Sequence, residues 1–279
     1  MIAYFNGRFI PKAEISISPD DRGFLFADGA YEVIRTYTGK LFQVEAHLTR
    51  LRRSIRELEI ADPGVENLCQ VAEELLARND LTHADATVYI QVTRGVAPRK
   101  HAFPDHTVPP TVYVSAAPFK PSPIKAQTGV KVILVPDFRW ARCDIKSVSL
   151  TPNVLASQRA VENGAEEALF VRDGVVAEGS HSNFGAVFSG VFITHPATNY
   201  ILAGITRAVV LNLCRDLGIP FQEAPIFEKD LRDAEELVLL GTTTEVMPVV
   251  QVDEWMVGAG TPGPITVKLQ DAFRAYTQR

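Results

Sequence analysis

Three prolines lie within six residues near the middle of the chain, in Pro118-Phe119-Lys120-Pro121-Ser122-Pro123. Proline fixes φ at about −65° and has no backbone N–H to donate to a sheet, so closely spaced prolines favour an extended linker. With 279 residues, the chain is long enough for one large domain or two modest ones. We therefore predict a small N-terminal domain over residues 1–120 and a larger C-terminal domain over residues 121–279.

The N-terminal part mixes strand and helix patterns. Apolar residues flank Asn6-Gly7, the dipeptide that most strongly predicts a two-residue hairpin turn. Apolar residues alternate with polar ones over residues 31–37, which predicts a half-buried strand. They recur at helical spacing over residues 48–58 and again over residues 65–75, which predicts two helices.

The C-terminal part is also mixed. The patterns predict strands over residues 130–135 and 235–240, a helix over residues 152–163 and a hairpin turn at Asp173-Gly174. A further helix is expected after Thr206, whose side chain could cap the first N–H groups. Because strands and helices do not alternate regularly, an α+β fold is favoured over a doubly wound sheet.

Composition excludes several classes of protein. The chain is 46% hydrophobic and 22% charged, which is ordinary for a globular protein and too apolar for a disordered one. A net charge of −5 disfavours nucleic acid as a partner, and no apolar run approaches the roughly 20 residues of a membrane helix. The N-terminus has no pattern typical of a secretory signal. We therefore expect a soluble cytoplasmic protein that binds neither nucleic acid nor membranes.

The three cysteines give no sign of a metal or disulfide site. Cys69, Cys143 and Cys214 are far apart, and no CxxC motif is present. An odd number of widely spaced cysteines argues against a disulfide framework and against a zinc site of the usual kind. We therefore predict no metal.

Four short segments could carry chemistry, although each residue in them would by default be a surface or turn residue. Lys146 could act as a Schiff-base nucleophile, and Glu178 could be a buried carboxylate that pairs with a protonated ring nitrogen. Residues 204–207 begin a predicted helix, and helix N-termini bind anions through their unpaired N–H groups. Residues 241–244 form a small, hydroxyl-rich turn that suits the same phosphate.

A fifth segment contains Arg99 and His101, in a predicted loop between two strands. Arginine offers a planar fork that can bind a carboxylate through two hydrogen bonds. Tyr31 could add its hydroxyl to such a site or simply pack as a strand aromatic. The alternative for the loop is a solvated basic turn.

Taken together, these segments resemble the class IV, fold-type IV pyridoxal-phosphate aminotransferases. The resemblance runs through almost the whole chain and is most specific in DRGFLFADGAYEV (residues 21–33), RWARCDIKS (139–147), NVLA (153–156), EGSHSN (178–183) and THPATNYILAGITR (194–207). It implies pyridoxal 5'-phosphate as the cofactor. It also implies a small N-terminal α/β domain and a larger C-terminal pseudo-barrel domain that carries Lys146 and most of the cofactor site.

The resemblance also implies roles for individual residues. Lys146 is expected to form the internal aldimine, Glu178 to pair with the pyridine nitrogen, and Leu202 to pack on the cofactor ring. The expected phosphate site consists of Arg50, Ile205, Thr206 and Thr242, with Ile205 and Thr206 acting through backbone N–H groups. The chain departs from the family pattern at Gly241 and His181, where hydroxyl residues are expected.

Within this family, the loop with Arg99 and His101 resembles that of the D-amino-acid aminotransferases. There the loop and a tyrosine, here Tyr31, hold the substrate carboxylate, and the arginine and histidine come from the neighbouring subunit, which implies a homodimer. The implied reaction is a ping-pong transfer between D-amino acids (D-alanine, D-glutamate) and 2-oxo acids (pyruvate, 2-oxoglutarate). A branched-chain L-amino-acid or R-amine transaminase, an aminodeoxychorismate lyase and a cofactor-binding relative without turnover remain alternatives.

Overall fold

Two separate β-sheets organise the protein, of which a computed structural model describes residues 1–278. The chain divides into two units. The first unit contains Met1–Lys120 and Ile145–Leu150, and the second contains residues 121–144 and 151–278.

The segment Ile145–Leu150 differs from the prediction, which placed Lys146 in the C-terminal domain. The structure groups this segment with the first unit because its backbone binds the strand that begins at Gly29. The N–H of Tyr31 donates to the carbonyl of Lys146 at 3.0 Å, and the N–H of Val148 donates to the carbonyl of Gly29 at 3.0 Å. These bonds join positions far apart in sequence, so local patterns carry no information about them.

The first unit contains one antiparallel sheet and three α-helices. Its strands are β1 (Ile2–Phe5), β2 (Arg8–Pro11), β3 (Gly29–Tyr37), β4 (Lys40–Leu41), β5 (Ala86–Thr93) and β6 (Thr111–Pro118). Its helices are α1 (Arg22–Phe26), α2 (Val44–Glu57) and α3 (Leu68–Arg78). The six strands lie in the order β2-β1-β6-β5-β3-β4.

Local chemistry accounts for most of this unit. The predicted hairpin is confirmed, since Asn6 and Gly7 join β1 to β2 with φ angles of 45° and 87°. Positive φ at both central residues matches the right-handed twist of the paired strands. On β3, Ile34 points to a core that Leu51 and Ile55 of α2 complete, and all three are buried. The helical spacing that predicted α2 therefore corresponds to its packed face.

The second unit contains a mixed sheet and four α-helices. Its strands are β7 (Val130–Pro136), β8 (Glu167–Arg172), β9 (Val175–Gly179), β10 (Asn183–Phe188), β11 (Val191–Thr194), β12 (Phe221–Glu223), β13 (Ile226–Phe227), β14 (Glu236–Gly241), β15 (Glu245–Val252) and β16 (Trp255–Met256). Its helices are α4 (Pro123–Thr128), α5 (Thr151–Glu162), α6 (Ile205–Asp216) and α7 (Pro264–Thr277).

Nine of these strands lie in the order β12-β11-β10-β14-β15-β7-β8-β9-β13, and β16 pairs with β15. The sheet curls into a half barrel. Strand β7 shows that both faces are covered: Val132 joins the core beneath β14 and β15, whereas Ile133 and Val135 pack with Ala156 and Ala160 of α5. The continuous apolar run of β7 is typical of a strand buried on both faces.

Three details of the helices differ from expectation. Helix α4 begins at Pro123, where the closely spaced prolines predicted an extended linker, because proline is tolerated in the first turn of a helix. Helix α6 begins at Ile205 with Gly204 as its N-cap, so Thr206 lies inside the first turn and does not cap the helix. Helix α1 was not predicted, because a five-residue helix that contains Gly23 is too short to show a period. Within residues 1–278, no helix has the length and apolar character needed to cross a bilayer.

Candidate functional site

Lys146 lies in the first unit beside Tyr31. Its Nζ is 4.4 Å from the centre of the Tyr31 ring, and its backbone N–H donates to the Ser54 hydroxyl at 3.2 Å. The segment is held on β3 like a short additional strand, with a bridge between Ala30 and Ser147. These bonds fix the backbone of Lys146 and leave its half-buried side chain next to an aromatic face.

Tyr31 also contacts a second tyrosine. Its ring stacks on that of Tyr89 with centroids 5.8 Å apart, and the hydroxyl of Tyr89 donates to Gln91 at 2.6 Å. Burial, followed by the neighbouring tyrosines, raises the pKa of Tyr89 to about 12. Tyr89 therefore stays protonated at neutral pH, and its ring packs against that of Tyr31.

Arg50 forms a buried ionic cluster with Glu32 and His47. Its Nε and Nη2 donate to the two oxygens of Glu32 at 2.7 and 2.9 Å, and Nδ1 of His47 lies 2.8 Å from Glu32 Oε2. Burial alone would raise the pKa of Glu32, but the charge and hydrogen bonds of Arg50 and the bond from His47 lower it from 4.5 to about 2. Burial lowers the pKa of His47, so its neutral ring donates to an ionised carboxylate.

Arg99 and His101 are exposed on the loop between β5 and β6. Both lie around Phe26: the Arg99 guanidinium is 5.2 Å from its ring centre, and the His101 ring is 5.5 Å from it. Within residues 1–278 of this single chain, neither side chain makes a hydrogen bond or ring contact with Tyr31 or Lys146. The structure thus brings Lys146 and Tyr31 together and gathers Arg99 and His101 as a separate pair.

Glu178 ends strand β9 in the second unit and is buried. Its carboxylate accepts hydrogen bonds from Arg139 Nη1 at 2.5 Å, from the backbone N–H of Leu202 at 3.0 Å and from Asn183 Nδ2 at 3.1 Å. A buried carboxylate is stable as an anion only when it is paired and hydrogen-bonded, and these donors meet that requirement.

Arg139 is itself held by a second carboxylate. Asp137 has no exposed side-chain surface and accepts from Nε and Nη2 of Arg139, both at 2.9 Å, and from Nε of Arg172 at 3.1 Å. Burial would raise the pKa of Asp137, but Arg139 outweighs it and lowers that pKa. The planar fork of Arg139 therefore bridges Asp137 and Glu178, which fixes the direction of the Glu178 carboxylate.

The N-terminus of α6 lies against the same cluster. Asn183 Nδ2 donates to the carbonyl of Leu202 at 2.9 Å, and a Cβ at Gly204 would lie only 1.8 Å from Asn183 Oδ1. Glycine at this position lets the helix start close to Asn183. Gly204 provides no side-chain cap for the first N–H groups of α6, among them those of Ile205 and Thr206. Unpaired N–H groups at the start of a helix are a common binding site for anions.

Two turns lie next to each other at this end of the second unit. Thr242 is in the turn between β14 and β15, and a Cβ at Gly241 would lie 3.5 Å from Cβ of Ser182 in the turn between β9 and β10. The same Cβ would lie 3.3 Å from Cβ and Oγ1 of Thr244, so a small side chain at position 241 would fit only after Thr244 shifts by a few tenths of an ångström.

His181 lies in the turn between β9 and β10 and faces the buried Glu167. The backbone N–H groups of His181 and Ser182 donate to Glu167 Oε1 at 2.6 and 3.0 Å. The imidazole Nδ1 lies 3.2 Å from the Ser180 hydroxyl and 3.3 Å from Glu167 Oε1, and half of the side chain is exposed. Glu167 therefore fixes the conformation of this turn, including His181, the residue that departs from the family pattern.

Sequence reasoning missed several residues that build these clusters. Arg139 and Asn183 stand inside segments that were recognised, but their partners cannot be read from spacing. Glu32 carried a signal, since on an alternating strand it shares the inward face with Ile34, where a carboxylate needs a buried partner.

The chain is similar to known proteins over almost its whole length. The family model described as amino-transferase class IV matches residues 29–252. The D-alanine aminotransferase of Staphylococcus haemolyticus is 43% identical over 277 residues, which are 99% of this chain and 97% of that protein.

Solved structures give the same fold. The branched-chain aminotransferase of Thermoproteus uzoniensis with norvaline is 26% identical, with a TM-score of 0.89 over 99% of this chain and 94% of that one. A T.th. branched-chain amino acid aminotransferase with pyridoxamine 5'-phosphate is 27% identical, with a TM-score of 0.90 over 99% and 93% of the two chains.

Proposed function

Because the chain belongs to the class IV aminotransferases, we propose that it transfers amino groups between D-amino acids and 2-oxo acids. D-Alanine and D-glutamate would be its amino donors, and pyruvate and 2-oxoglutarate the corresponding acceptors. The observation that carries this proposal is the 43% identity to a D-alanine aminotransferase over 99% of the chain. The loop with Arg99 and His101 supports it.

Membership of this family confirms the predicted α+β fold of type IV and the predicted enzyme class. It also confirms the predicted cofactor, since class IV aminotransferases depend on pyridoxal 5'-phosphate. The residues present fit such a group. They include a half-buried lysine amine beside an aromatic ring, a buried carboxylate with strong donors, and a helix that starts at a glycine without a side-chain cap.

Each residue then has a chemical task. When bound, the cofactor supplies an electron sink for negative charge at the substrate α-carbon. Nζ of Lys146 would hold the cofactor covalently until the substrate amine displaces it, and the freed lysine amine would then act as the general base that moves the α-proton. Glu178 would keep a proton on the pyridine nitrogen, because Arg139 and Asn183 hold it as a directed anion.

The phosphate would be bound by complementary donors. The backbone N–H groups of Ile205 and Thr206 stand at the positive end of α6, and Thr242 adds a hydroxyl. Arg50 would contribute a positive charge that Glu32 holds in place. Leu202 would pack its side chain against the ring while its N–H binds Glu178.

The substrate carboxylate would be bound by Arg99, His101 and the hydroxyl of Tyr31. Because Arg99 and His101 make no contact with Tyr31 within residues 1–278 of one chain, we propose that the loop serves the active site of a second copy. The protein would then act as a homodimer. Gel filtration with light scattering would test this, and a monomer with full activity would contradict it.

The proposed reaction is tested by an absorbance spectrum of the purified holoenzyme, repeated after addition of D-alanine and, separately, of L-leucine. Loss of the yellow band with D-alanine alone, together with release of pyruvate, is the expected result. Lys146→Ala should bind the cofactor without these changes and lose multiple-turnover activity by about a thousandfold or more. Lys125→Ala, at a half-exposed lysine that pairs with Glu166, is the matched control. A response to L-leucine alone would overturn the proposal in favour of a branched-chain L-amino-acid transaminase.

A further inference from the structure

The loop of residues 94–110 joins β5 to β6 and holds its side chains in solvent at Arg99 and His101. Its backbone, in contrast, is bound by a buried side chain. Nη1 of Arg22 donates to the carbonyl of Lys100 at 2.6 Å and to that of Ala102 at 3.3 Å, and Nη2 donates to the carbonyl of His101 at 3.4 Å. One guanidinium thus holds three consecutive carbonyls.

Arg22 is well fixed for this task. Its side chain is 4% exposed, its Nε donates to Asp28 at 2.8 Å, and its guanidinium lies 4.8 Å from the ring centre of Phe26. Arginine has five N–H donors in a rigid plane, so one side chain can bind a carboxylate and several carbonyls together. Phe26 is also the ring around which Arg99 and His101 lie.

The base of the same loop is tied to the start of α1. The N–H of Arg22 donates to the carbonyl of Gly95 at 2.9 Å, and Asp21, the N-cap of α1, accepts from the hydroxyl of Thr111 at 2.6 Å. A Cβ at Gly95 would lie 2.1 Å from the carbonyl oxygen of Pro109, so the two ends of the loop are packed closely. Arg22 therefore bonds an exposed loop to a fixed element.

We propose that Arg22 is a positioning residue that sets the Arg99 and His101 side chains for the substrate carboxylate. The inference rests on the proposed function of these two residues. Ordering a mobile loop on binding costs free energy, and a loop held beforehand avoids that cost. Arg22 orders the loop before the substrate binds, so it contributes equally to the binding of the ground state and of the transition state. Its loss should therefore raise KM and leave kcat nearly unchanged.

The change Arg22→Gln removes this device without leaving a buried charge alone. Asp28 keeps Arg94, whose Nε and Nη2 donate to it at 2.7 and 3.0 Å. Arg22→Lys is a second variant that retains the charge but lacks the planar fork. The matched control is Arg35→Gln, at another buried arginine of the first unit, which pairs with Asp85 and lies 4.3 Å from Phe119.

The experiment compares these holoenzymes with Arg99→Ala, which tests the proposed function itself. The readouts are kcat and KM for D-alanine, equilibrium binding of propionate followed by cofactor absorbance, and hydrogen exchange of the amides of residues 99–103. In Arg22→Gln we expect KM and the propionate Kd to rise about tenfold, kcat to stay within about threefold, and exchange in the loop to accelerate. Arg35→Gln should change none of these.

A double variant, Arg22→Gln with Arg99→Ala, separates positioning from general damage. If Arg22 acts through Arg99, adding Arg22→Gln to Arg99→Ala raises KM by much less than it does alone. A raised KM in Arg99→Ala with an unchanged KM in both Arg22 variants would overturn the inference and leave the proposed function intact. An unchanged KM in Arg99→Ala would overturn both.

Discussion

Glu178 of the second unit and the Arg99–His101 pair of the first unit are held in different ways. In the second unit, Glu178 is buried at a strand end and its carboxylate is gripped directly by Arg139, Asn183 and the backbone of Leu202. In the first unit, Arg99 and His101 are exposed beside Phe26, and Arg22 binds the backbone carbonyls of Lys100 and His101 and not the two side chains. Under the proposed function, direct burial of Glu178 suits a cofactor that is the same in every turnover. A loop bound only through its backbone would leave the Arg99 and His101 side chains able to adjust to different substrates.

The largest effect is expected from removing the negative charge of Glu178. Glu178→Gln keeps the shape and the hydrogen bond from Leu202, and Arg139 keeps Asp137 as its partner. The neutral amide cannot keep a proton on the pyridine nitrogen, so we expect bound cofactor with kcat lowered about a hundredfold. Steady-state kinetics with D-alanine and 2-oxoglutarate measure this.

The control for this change is Glu254→Gln, at a carboxylate that is 92% exposed and pairs with Lys131. It should leave kcat unchanged. A Glu178→Gln enzyme with near wild-type turnover would contradict the proposed role of Glu178. The hydrogen bonds from Arg139, Asn183 and Leu202 to Glu178 would then serve only the stability of the fold.

A second test concerns Glu32, the carboxylate in the first unit that is buried as directly as Glu178. Its pKa is about 2 in the folded protein against 4.5 as the ordinary value. A lowered folded pKa stabilises the protein above pH 4.5, and this contribution, about 3 kcal/mol, is lost as the pH falls from about 4.5 towards 2. The advantage of the wild type over Glu32→Gln should therefore shrink on acidification.

Urea unfolding of both proteins between about pH 6 and pH 3 measures this difference in free energy. Glu74→Gln, at a half-exposed carboxylate that pairs with Arg78 in the same unit, should change the free energy by less than about 1 kcal/mol at any pH. A difference between wild type and Glu32→Gln that does not depend on pH would show that Arg50 and His47 do not hold Glu32 as an anion. The ionic cluster of Asp28 with Arg22 and Arg94 would then be the better candidate for a rigid ionic centre of the first unit.

Elements that depend on local chemistry could be predicted from the sequence. The turn at Asn6-Gly7 requires positive φ, and the apolar face of α2 repeats at helical spacing, so both were predicted correctly. The class of the fold and of the enzyme followed from resemblance, since several short segments recur in one order.

Contacts between distant parts of the chain could not be predicted. Lys146 belongs to the first unit because its backbone pairs with that of Tyr31, which no periodicity encodes. Arg22 stands in a recognised segment, yet its acceptors are backbone carbonyls of the loop. Because every residue has a backbone carbonyl, the sequence does not indicate which carbonyls Arg22 binds. Close approach at Gly204 depends likewise on where Asn183 lies in the folded chain.

The smallest expected effect comes from adding one methyl group to the second unit. In Gly204→Ala the new Cβ would overlap Asn183 Oδ1, so Asn183 must move and loosen its bonds to Glu178 and Leu202. If the second unit is as rigid as its direct contacts imply, we expect a loss of about 1–3 kcal/mol in the free energy of unfolding and weaker binding of the cofactor. Thermal unfolding and cofactor titration measure the two effects.

Gly241→Ala is the matched control, because its Cβ would lie 3.3 Å from Thr244 and needs only a small shift of that residue, whereas the Cβ at Gly204 would overlap Asn183. It should cost less than about 1 kcal/mol. The double variant Gly204→Ala with Asn183→Ala relieves the overlap but not the lost bond to Glu178, so stability should recover in part while cofactor binding stays weak. If Gly204→Ala lowers the free energy of unfolding and cofactor binding no more than Gly241→Ala does, the surroundings of Glu178 adapt as readily as an exposed loop. The difference between Glu178 and the Arg99–His101 loop would then lie in charge and not in rigidity.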